Sequence, residues 1–242
     1  TYAACSSGLH ALVAAVLDKL DGYKSDTIVM GVDALSFLEI IGFARIGAVS
    51  RTSCRPFSKT HDGLLIGEGA AGLCLTDMMP FVGAAQILGF GLSCDAFHPT
   101  DPEPSGQNLE RAIRNALSRA GLRTQDVAAV VAHGTGTLKN DHFEMAALSR
   151  IWPDSTPVVT SVKGTLGHTM GASGIFNVLT ATQATLSGLL PGIQSSIPDL
   201  HPGIDFALNS PRTIPQGAPV LALASGFGGN NVAFLLGVKS IR

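Results

Sequence analysis

Charged side chains are scarce in this sequence. Its 242 residues hold 16 lysines and arginines against 18 aspartates and glutamates, 14% in all against a usual ~25%, for a net charge of -2. Neither sign dominates, which argues against the basic surface that nucleic acid or an anionic membrane attracts. Long apolar runs are missing as well. No stretch reaches the roughly 18 uninterrupted apolar residues of a membrane span, and no basic segment followed by an apolar one marks a secretory signal. Only four cysteines occur, Cys5, Cys54, Cys74 and Cys94, far apart and mostly in apolar surroundings. A disulfide framework does not suit so large a chain, and free thiols fit a reducing, cytoplasmic setting. Cys94 and His98 have no CxxC or HxxxH beside them to complete a zinc site, so no metal is expected.

Glycine and apolar residues are plentiful: 28 glycines and 45% apolar residues. Such a chain buries a sizeable core and is not intrinsically disordered. Its length suits one large domain or two modest ones. Thr1 and the opening TYAACSSG read like the middle of a longer protein.

Strand and helix signals alternate. Leu9 to Leu20 is an Ala-rich helix, followed by strands over Thr27 to Val32, Gly69 to Leu75 and Ala84 to Phe90. The segment from His98 to Gly106 holds three prolines and is a loop. It leads into an amphipathic helix, Gln107 to Ala120, with Leu109, Ile113, Ala116, Leu117 and Ala120 on one stripe. A strand over Val127 to Ala132, a helix from about Asp141 to Ile151 and a strand over Val158 to Val162 follow. An Ala-rich helix from about Gly171 to Leu186 and a hairpin of Val220 to Ala224 with Val232 to Leu236 close the chain. The pattern is α/β, with buried strands between helices. TYAACSSGLHALVAAV and TLGHTMGASGIFNVLTA echo one another, either as traces of a duplicated unit or by coincidence of small residues.

Four places carry candidate chemistry. Cys5 precedes an apolar helix, where unpaired N–H groups and the helix dipole favour thiolate; an inert core thiol is the plainer alternative. HGTGT, His133 to Thr137, follows a buried strand, where α/β folds place ligands. It reads as a ligand-facing histidine or as one that staples a turn, and neither GxxxxGK nor GxGxxG is present. KGTLGH, Lys163 to His168, also follows an apolar strand; a lone lysine is more often solvated. GFGG, Gly226 to Gly229, lies between the closing strands, either as an ordinary tight turn or as a place where Phe227 can move.

Together and in this order, these motifs resemble the β-ketoacyl-acyl carrier protein synthases, the elongating Cys-His-His branch of the thiolase superfamily. The resemblance also includes CRPF, Cys54 to Phe57; Asp62 to Ala71, with DG and GEGAA; and DAFHPTDPEPSG, Asp95 to Gly106. It implies a thiolase-like fold of duplicated αβαβα layers, here missing most of the first half. Residues 1–80 would be the remainder of the N-terminal half with the nucleophile, and 81–242 the C-terminal half with the His and Lys motifs. The implied activity is decarboxylative Claisen condensation of a Cys5-bound acyl group with a malonyl thioester, in fatty acid, polyene or polyketide elongation. Cys5 would be the nucleophile, His133 and His168 donors to the extender carbonyl, and Lys163 their electrostatic support. The N–H groups of Cys5 and Phe227 would form an oxyanion hole. Phe227 would gate the site, and Thr135, Thr137, Phe227 and Gly228 would contact substrate.

The resemblance implies no cofactor beyond the phosphopantetheine of the substrate's acyl carrier protein. It implies as partners that carrier and a second ketosynthase or chain-length-factor subunit, with no nucleic acid and no membrane. Four positions depart from the family pattern. Asn177 stands where a glutamate pairs with the lysine, so Lys163 is expected to lack its counter-charge. Ser225 replaces a second gating phenylalanine and Asn230 a threonine, so a looser gate is expected, and His61 replaces an arginine. A family member runs to about 400 residues, so this piece alone is expected to be inactive or poorly folded. Phe227 where a thiolase has a cysteine, and His168 where starter-condensing enzymes have asparagine, oppose those relatives. A cysteine hydrolase lacks the two Gly-flanked histidine motifs. A non-catalytic chain-length-factor-like partner subunit is the remaining alternative, although such subunits typically lose the cysteine that is intact here.

Overall fold

The computed structural model describes residues 1–77, 84–154, 157–193 and 203–238. Its elements are α1 (Ser7–Leu20), β1 (Thr27–Asp33), α2 (Phe37–Arg45), β2 (Gly69–Leu75), β3 (Gln86–Cys94), α3 (Gln107–Ala120) and β4 (Ala129–Val131). These are followed by α4 (Leu138–Ile151), β5 (Val158–Thr160), the single turn α5 (Lys163–Leu166), α6 (Ser173–Ser187), β6 (Leu189–Leu190), β7 (Arg212–Thr213), β8 (Val220–Gly226) and β9 (Asn230–Gly237).

Five strands form the main sheet in the order β3-β9-β8-β4-β5, antiparallel among β3, β9 and β8 and parallel from β8 through β4 to β5. Strand residues alternate between faces, and the two sides of β8 and β9 feed separate cores. Leu221, Leu223, Ala233 and Leu235 pack with α3 and α4. Val220, Ala222, Ala224, Val232, Phe234 and Leu236 pack with α1 and α6. Beyond α1 and α6 the antiparallel pair β1–β2 adds Val29 and Ala71 to that second core. The layers thus run helix, sheet, helix, sheet, which is the thiolase-like α/β arrangement. Among the described residues no helix is long and apolar enough to cross a membrane.

The internal echo proves to be a packing relation. A Cβ on Gly8 would sit 2.8 Å from Gly171 O and 2.9 Å from Ile175 Cγ1, and one on Gly174 would sit 2.8 Å from Leu9 Cγ. Aligning the two echoing segments equates Gly8 with Gly174 and Leu9 with Ile175, so each helix presents to the other what it receives. The equivalence continues along the chain: α6 leads to the hairpin β8–β9, and α1 leads to the antiparallel pair β1–β2. The outer edges of β8 and β9 carry β4 and β3, whereas β1 and β2 carry no further strand among the described residues. The outward side chains of β1, Ile28, Met30 and Val32, are exposed.

Sequence patterning located most of these elements, and the boundaries moved for local reasons. The helix expected from Asp141 begins at Leu138, because Thr137 is extended (φ -87, ψ 140) and the chain turns helical directly after it. The Ala-rich helix begins at Ser173, after a 3-10 turn over Met170–Ala172. α2 is absent from the sequence expectations: FLEIIGFAR is a short, mostly apolar segment of nine residues that buries none of them.

Helix α3 lies against β3 so closely that a Cβ on Gly91 would meet Ala112 O. Gly91→Val is therefore expected to destabilise the protein by about 3 kcal/mol or more, the upper end for overpacking. Gly42, with nothing within 4 Å, is the control: Gly42→Ala in the middle of α2 should stabilise by about 0.5–1 kcal/mol. Urea unfolding of the two variants checks both signs.

Candidate active site

Cys5 sits on a strained turn. Ala4 before it has φ +47, a left-handed conformation rare for alanine, and Ser6 caps the turn by donating its hydroxyl to Ala3 O at 2.7 Å. The turn carries the sulfur to the head of α1, where it is 7% exposed. Sequence reasoning expected the helix end to favour thiolate there; the structure corrects this. Burial pushes the Cys5 thiol up to about 11, outweighing the Lys163 charge and the residue's own N–H, which pull it down. Contrary to the expectation of mostly apolar surroundings, Cys74 and Cys94 are exposed, while Cys54 is buried; all four thiols are free.

His133 leaves the end of β4 with its peptide held on both sides. Glu144, from α4, accepts from His133 N–H at 2.7 Å and Gly134 N–H at 2.6 Å. Lys163 donates its ammonium to His133 O, and its Nζ is 3.3 Å from His133 Nδ1. An ammonium has only protons to offer, so Nδ1 accepts and the imidazole carries its proton on Nε2. Lys163 is 1% exposed, the opposite of the solvated lysine that composition favours.

Neighbouring residues fix the turn that follows. Gly134 has φ +45, and a Cβ there would lie 2.6 Å from Ser161 Oγ, so the HGTGT turn requires glycine at that position. The Asp141 carboxylate accepts from Gly136 N–H at 3.1 Å, from Phe57 N–H at 2.7 Å and from His61 Nδ1 at 2.8 Å.

His168 follows the single turn α5. Its N–H donates to Leu65 O at 2.7 Å and its carbonyl accepts from Gly67 N–H at 2.9 Å, so the GLLIGEG stretch is the strip that positions it. The His133 and His168 rings meet edge to face, centroids 5.2 Å apart. Burial, reinforced by the Lys163 charge, holds both imidazoles well below their usual value, so both are neutral donors or acceptors.

The GFGG turn closes the site. The Phe227 ring stacks on Phe43 with centroids 5.4 Å apart. The proline-bearing loop is tied to the turn: Gly228 N–H donates to Pro99 O at 2.8 Å, and Asn231 Nδ2 donates to Asp95 Oδ1 at 2.7 Å. Ser225 and Asn230 contribute ties of their own. The Ser225 hydroxyl donates to Asn231 Oδ1 at 2.8 Å, and Asn230 Nδ2 donates to Phe227 O at 3.1 Å.

Cys5, His133, His168, Thr135, Thr137 and Phe227 line one cavity of about 450 Å³. The two threonine hydroxyls hydrogen-bond each other at 2.8 Å on its wall. Lys163 stands behind His133 and does not line the cavity, nor does Gly228. A second cavity of about 400 Å³ shares Cys5, Phe43 and Phe227 with the first.

Sequence reasoning missed Asp141 and Glu144. Glu144 makes no ion pair with Lys163; it acts on the lysine only as a nearby acid, opposing the burial that pushes Lys163 down, while burial pushes Glu144 itself up. Asn177 does different work, donating to Ala132 O at 3.2 Å and Leu223 O at 2.8 Å, so it stitches α6 to β4 and β8. The signal was present in the sequence. NDHFE places two acids three residues apart just after a glycine turn, in a chain with little charge to spare.

Comparison with known proteins bears on the family and the fold. Residues 1–78 match the model for the β-ketoacyl synthase N-terminal domain and residues 84–195 the model for its C-terminal domain. Nodulation protein E of Rhizobium meliloti is 34% identical over 220 residues, which are 86% of this chain and 54% of that protein. The 3-oxoacyl-[acyl-carrier-protein] synthase 2 of Staphylococcus aureus is 30% identical over 250 residues, 97% of this chain and 62% of that protein. The solved ishigamide ketosynthase/chain length factor superposes with a TM-score of 0.93 at 32% identity, over 99% of this chain and 60% of its own. The chain therefore spans between about half and three-fifths of the length of these relatives.

Proposed function

We propose that this chain, which belongs to the β-ketoacyl synthase family, carries the centre for decarboxylative Claisen condensation. The observation that carries the reading is the shared cavity: one buried thiol and two buried neutral histidines, one of them with its tautomer fixed by a buried lysine. Cys5 attacks an acyl thioester, a new C–S bond forms, and the carrier thiol departs with a proton. A malonyl thioester then enters, its C–C bond breaks to release carbon dioxide, and the electron pair becomes an enolate. The enolate carbon attacks the Cys5 acyl carbonyl, the Cys5 C–S bond breaks, and a β-ketoacyl thioester two carbons longer leaves.

Each step has a donor to support it. His133 Nε2–H and the His168 ring lie where the extender carbonyl gains negative charge, in a site dry enough for such bonds to count. The N–H groups of Cys5 and Phe227 receive the acyl oxyanion, Thr135 and Thr137 guide the pantetheine arm, and Phe227 gates the cavity. No cofactor enters beyond the phosphopantetheine that carries the substrates. The division near residue 80 into two like halves, an acyl carrier protein as substrate carrier and a second ketosynthase-like subunit belong to the same reading. The carrier named in the Staphylococcus aureus relative and the chain length factor named in the ishigamide structure support it.

The test is intact mass. Incubating the protein with an acyl-carrier thioester should add one acyl group, mapped to Cys5, and malonyl thioester should then yield carbon dioxide and a chain longer by two carbons. An unmodified Cys5, or an adduct without elongation, would refute the reading. A pH dependence follows from Lys163. Carbon dioxide release depends on the protonated lysine holding His133, and burial lowers Lys163 from 10.5. Release should therefore fall as pH rises through a value below 10.5; a rate flat up to that pH would contradict the role.

A further inference from the structure

Two cavities meet at Cys5, and they differ in chemistry. The first holds both histidines and the threonine pair, so the thioester arm and the extender belong there. An acyl chain already on Cys5 is then left the second cavity, which opens onto the same sulfur and holds neither histidine; its walls mix apolar side chains, among them Ala11, Phe43, Met170 and the exposed Met30 and Val32, with the polar Thr1 and Ser7. Two carboxylates interrupt those walls, Asp33 and Glu39. Asp33 is committed, since its Oδ2 accepts from Gly171 N–H at 2.8 Å.

Glu39 is not committed. It is the third residue of α2, behind the N-cap Ser36, whose side chain accepts from Glu39 N–H. The usual role of a glutamate in an S-x-x-E start is to return a bond to the cap N–H. Here that return bond is not made, and among the described residues no hydrogen bond or ion pair engages the Glu39 carboxylate. It lies half-buried on the cavity wall, near enough for its charge to act on the Cys5 sulfur.

We propose that Glu39 is a specificity-determining residue: it selects acyl chains that carry a hydrogen-bond donor, such as a hydroxyl, along the chain beyond the thioester. The inference rests on Cys5 being the acyl acceptor. A plain alkyl chain would displace water from the Glu39 carboxylate and offer nothing in return, whereas a hydroxyl replaces the lost bond. Sites that bond a substrate hydroxyl discriminate strongly against analogues lacking it.

The experiment uses the full-length protein and two probes, the N-acetylcysteamine thioesters of octanoate and of 8-hydroxyoctanoate, with Cys5 acylation followed by intact mass. In each transfer the Cys5 C–S bond forms, the probe's C–S bond breaks, and the released thiol takes the proton. Wild type should be acylated about tenfold or more faster by the hydroxy probe. Glu39→Leu should lose that preference, and Glu39→Gln, close in size and compatible with the helix, should weaken it even if the leucine variant folds poorly. A wild-type preference below tenfold, or one unchanged in both variants, overturns the role of Glu39 and leaves Cys5 as nucleophile. Failure of both probes to acylate wild-type protein that remains folded overturns the assignment of Cys5 itself.

Discussion

Cys5→Ala is expected to abolish acyl transfer, with a loss of about 10⁴-fold or more in the rate of adduct formation, while leaving the release of carbon dioxide from malonyl thioester largely intact. The split follows from where the groups sit. Acyl transfer needs the sulfur, because the covalent intermediate divides one difficult step into two. Decarboxylation needs only donors for the developing enolate oxygen, and those are His133 and His168, whose placement owes nothing to Cys5. His133 is gripped through its peptide by Glu144 and Lys163, and His168 is held by Leu65 and Gly67. Intact mass and carbon dioxide release, measured on the same preparation, check the result. An adduct that persists in Cys5→Ala at the wild-type mass shift would show that the nucleophile lies elsewhere.

The same separation explains what the sequence made legible. HGTGT and KGTLGH stand out because each joins a histidine to glycines at the end of an apolar strand, and both the strand and the turn are local signals. The stripe on α3 and the alternation in β8 and β9 are equally local, and the structure keeps them. The protonation of Cys5 was not legible. Its position before a helix is written in the sequence, but the burial that raises its thiol comes from segments as distant as Met170, whose sulfur lies 4.0 Å away. Glu144 and Asp141 were hidden for a related reason. A polar side chain on a helix ordinarily faces water, and only the folded HGTGT turn, with its N–H groups aimed back at α4, makes that face an interior one. Helix α2 went unread although Ser36 and Glu39, three residues apart ahead of an apolar run, spell a helix start; that the Glu39 carboxylate makes no return bond to the cap is visible only in the fold.

The complementary variant is His168→Ala. It is expected to keep Cys5 acylation within about threefold of wild type and to slow carbon dioxide release by about 10²–10³-fold, the usual cost of one preorganised donor. His168 is the better choice of the two histidines, because its removal leaves a network unbroken. His133 Nδ1 is the acceptor that faces Lys163, so its loss would strip a partner from a buried ammonium. His168 Nδ1 has no hydrogen-bond partner among the described residues, and the strand-like contacts that hold its backbone persist when the ring is gone. Carbon dioxide release that stays near the wild-type rate would remove His168 from the decarboxylation step. A loss of acylation as deep as that of Cys5→Ala would assign the ring to the first half-reaction instead. With Cys5→Ala sparing one step and His168→Ala sparing the other, the shared cavity would be resolved into two half-sites that meet at a single sulfur.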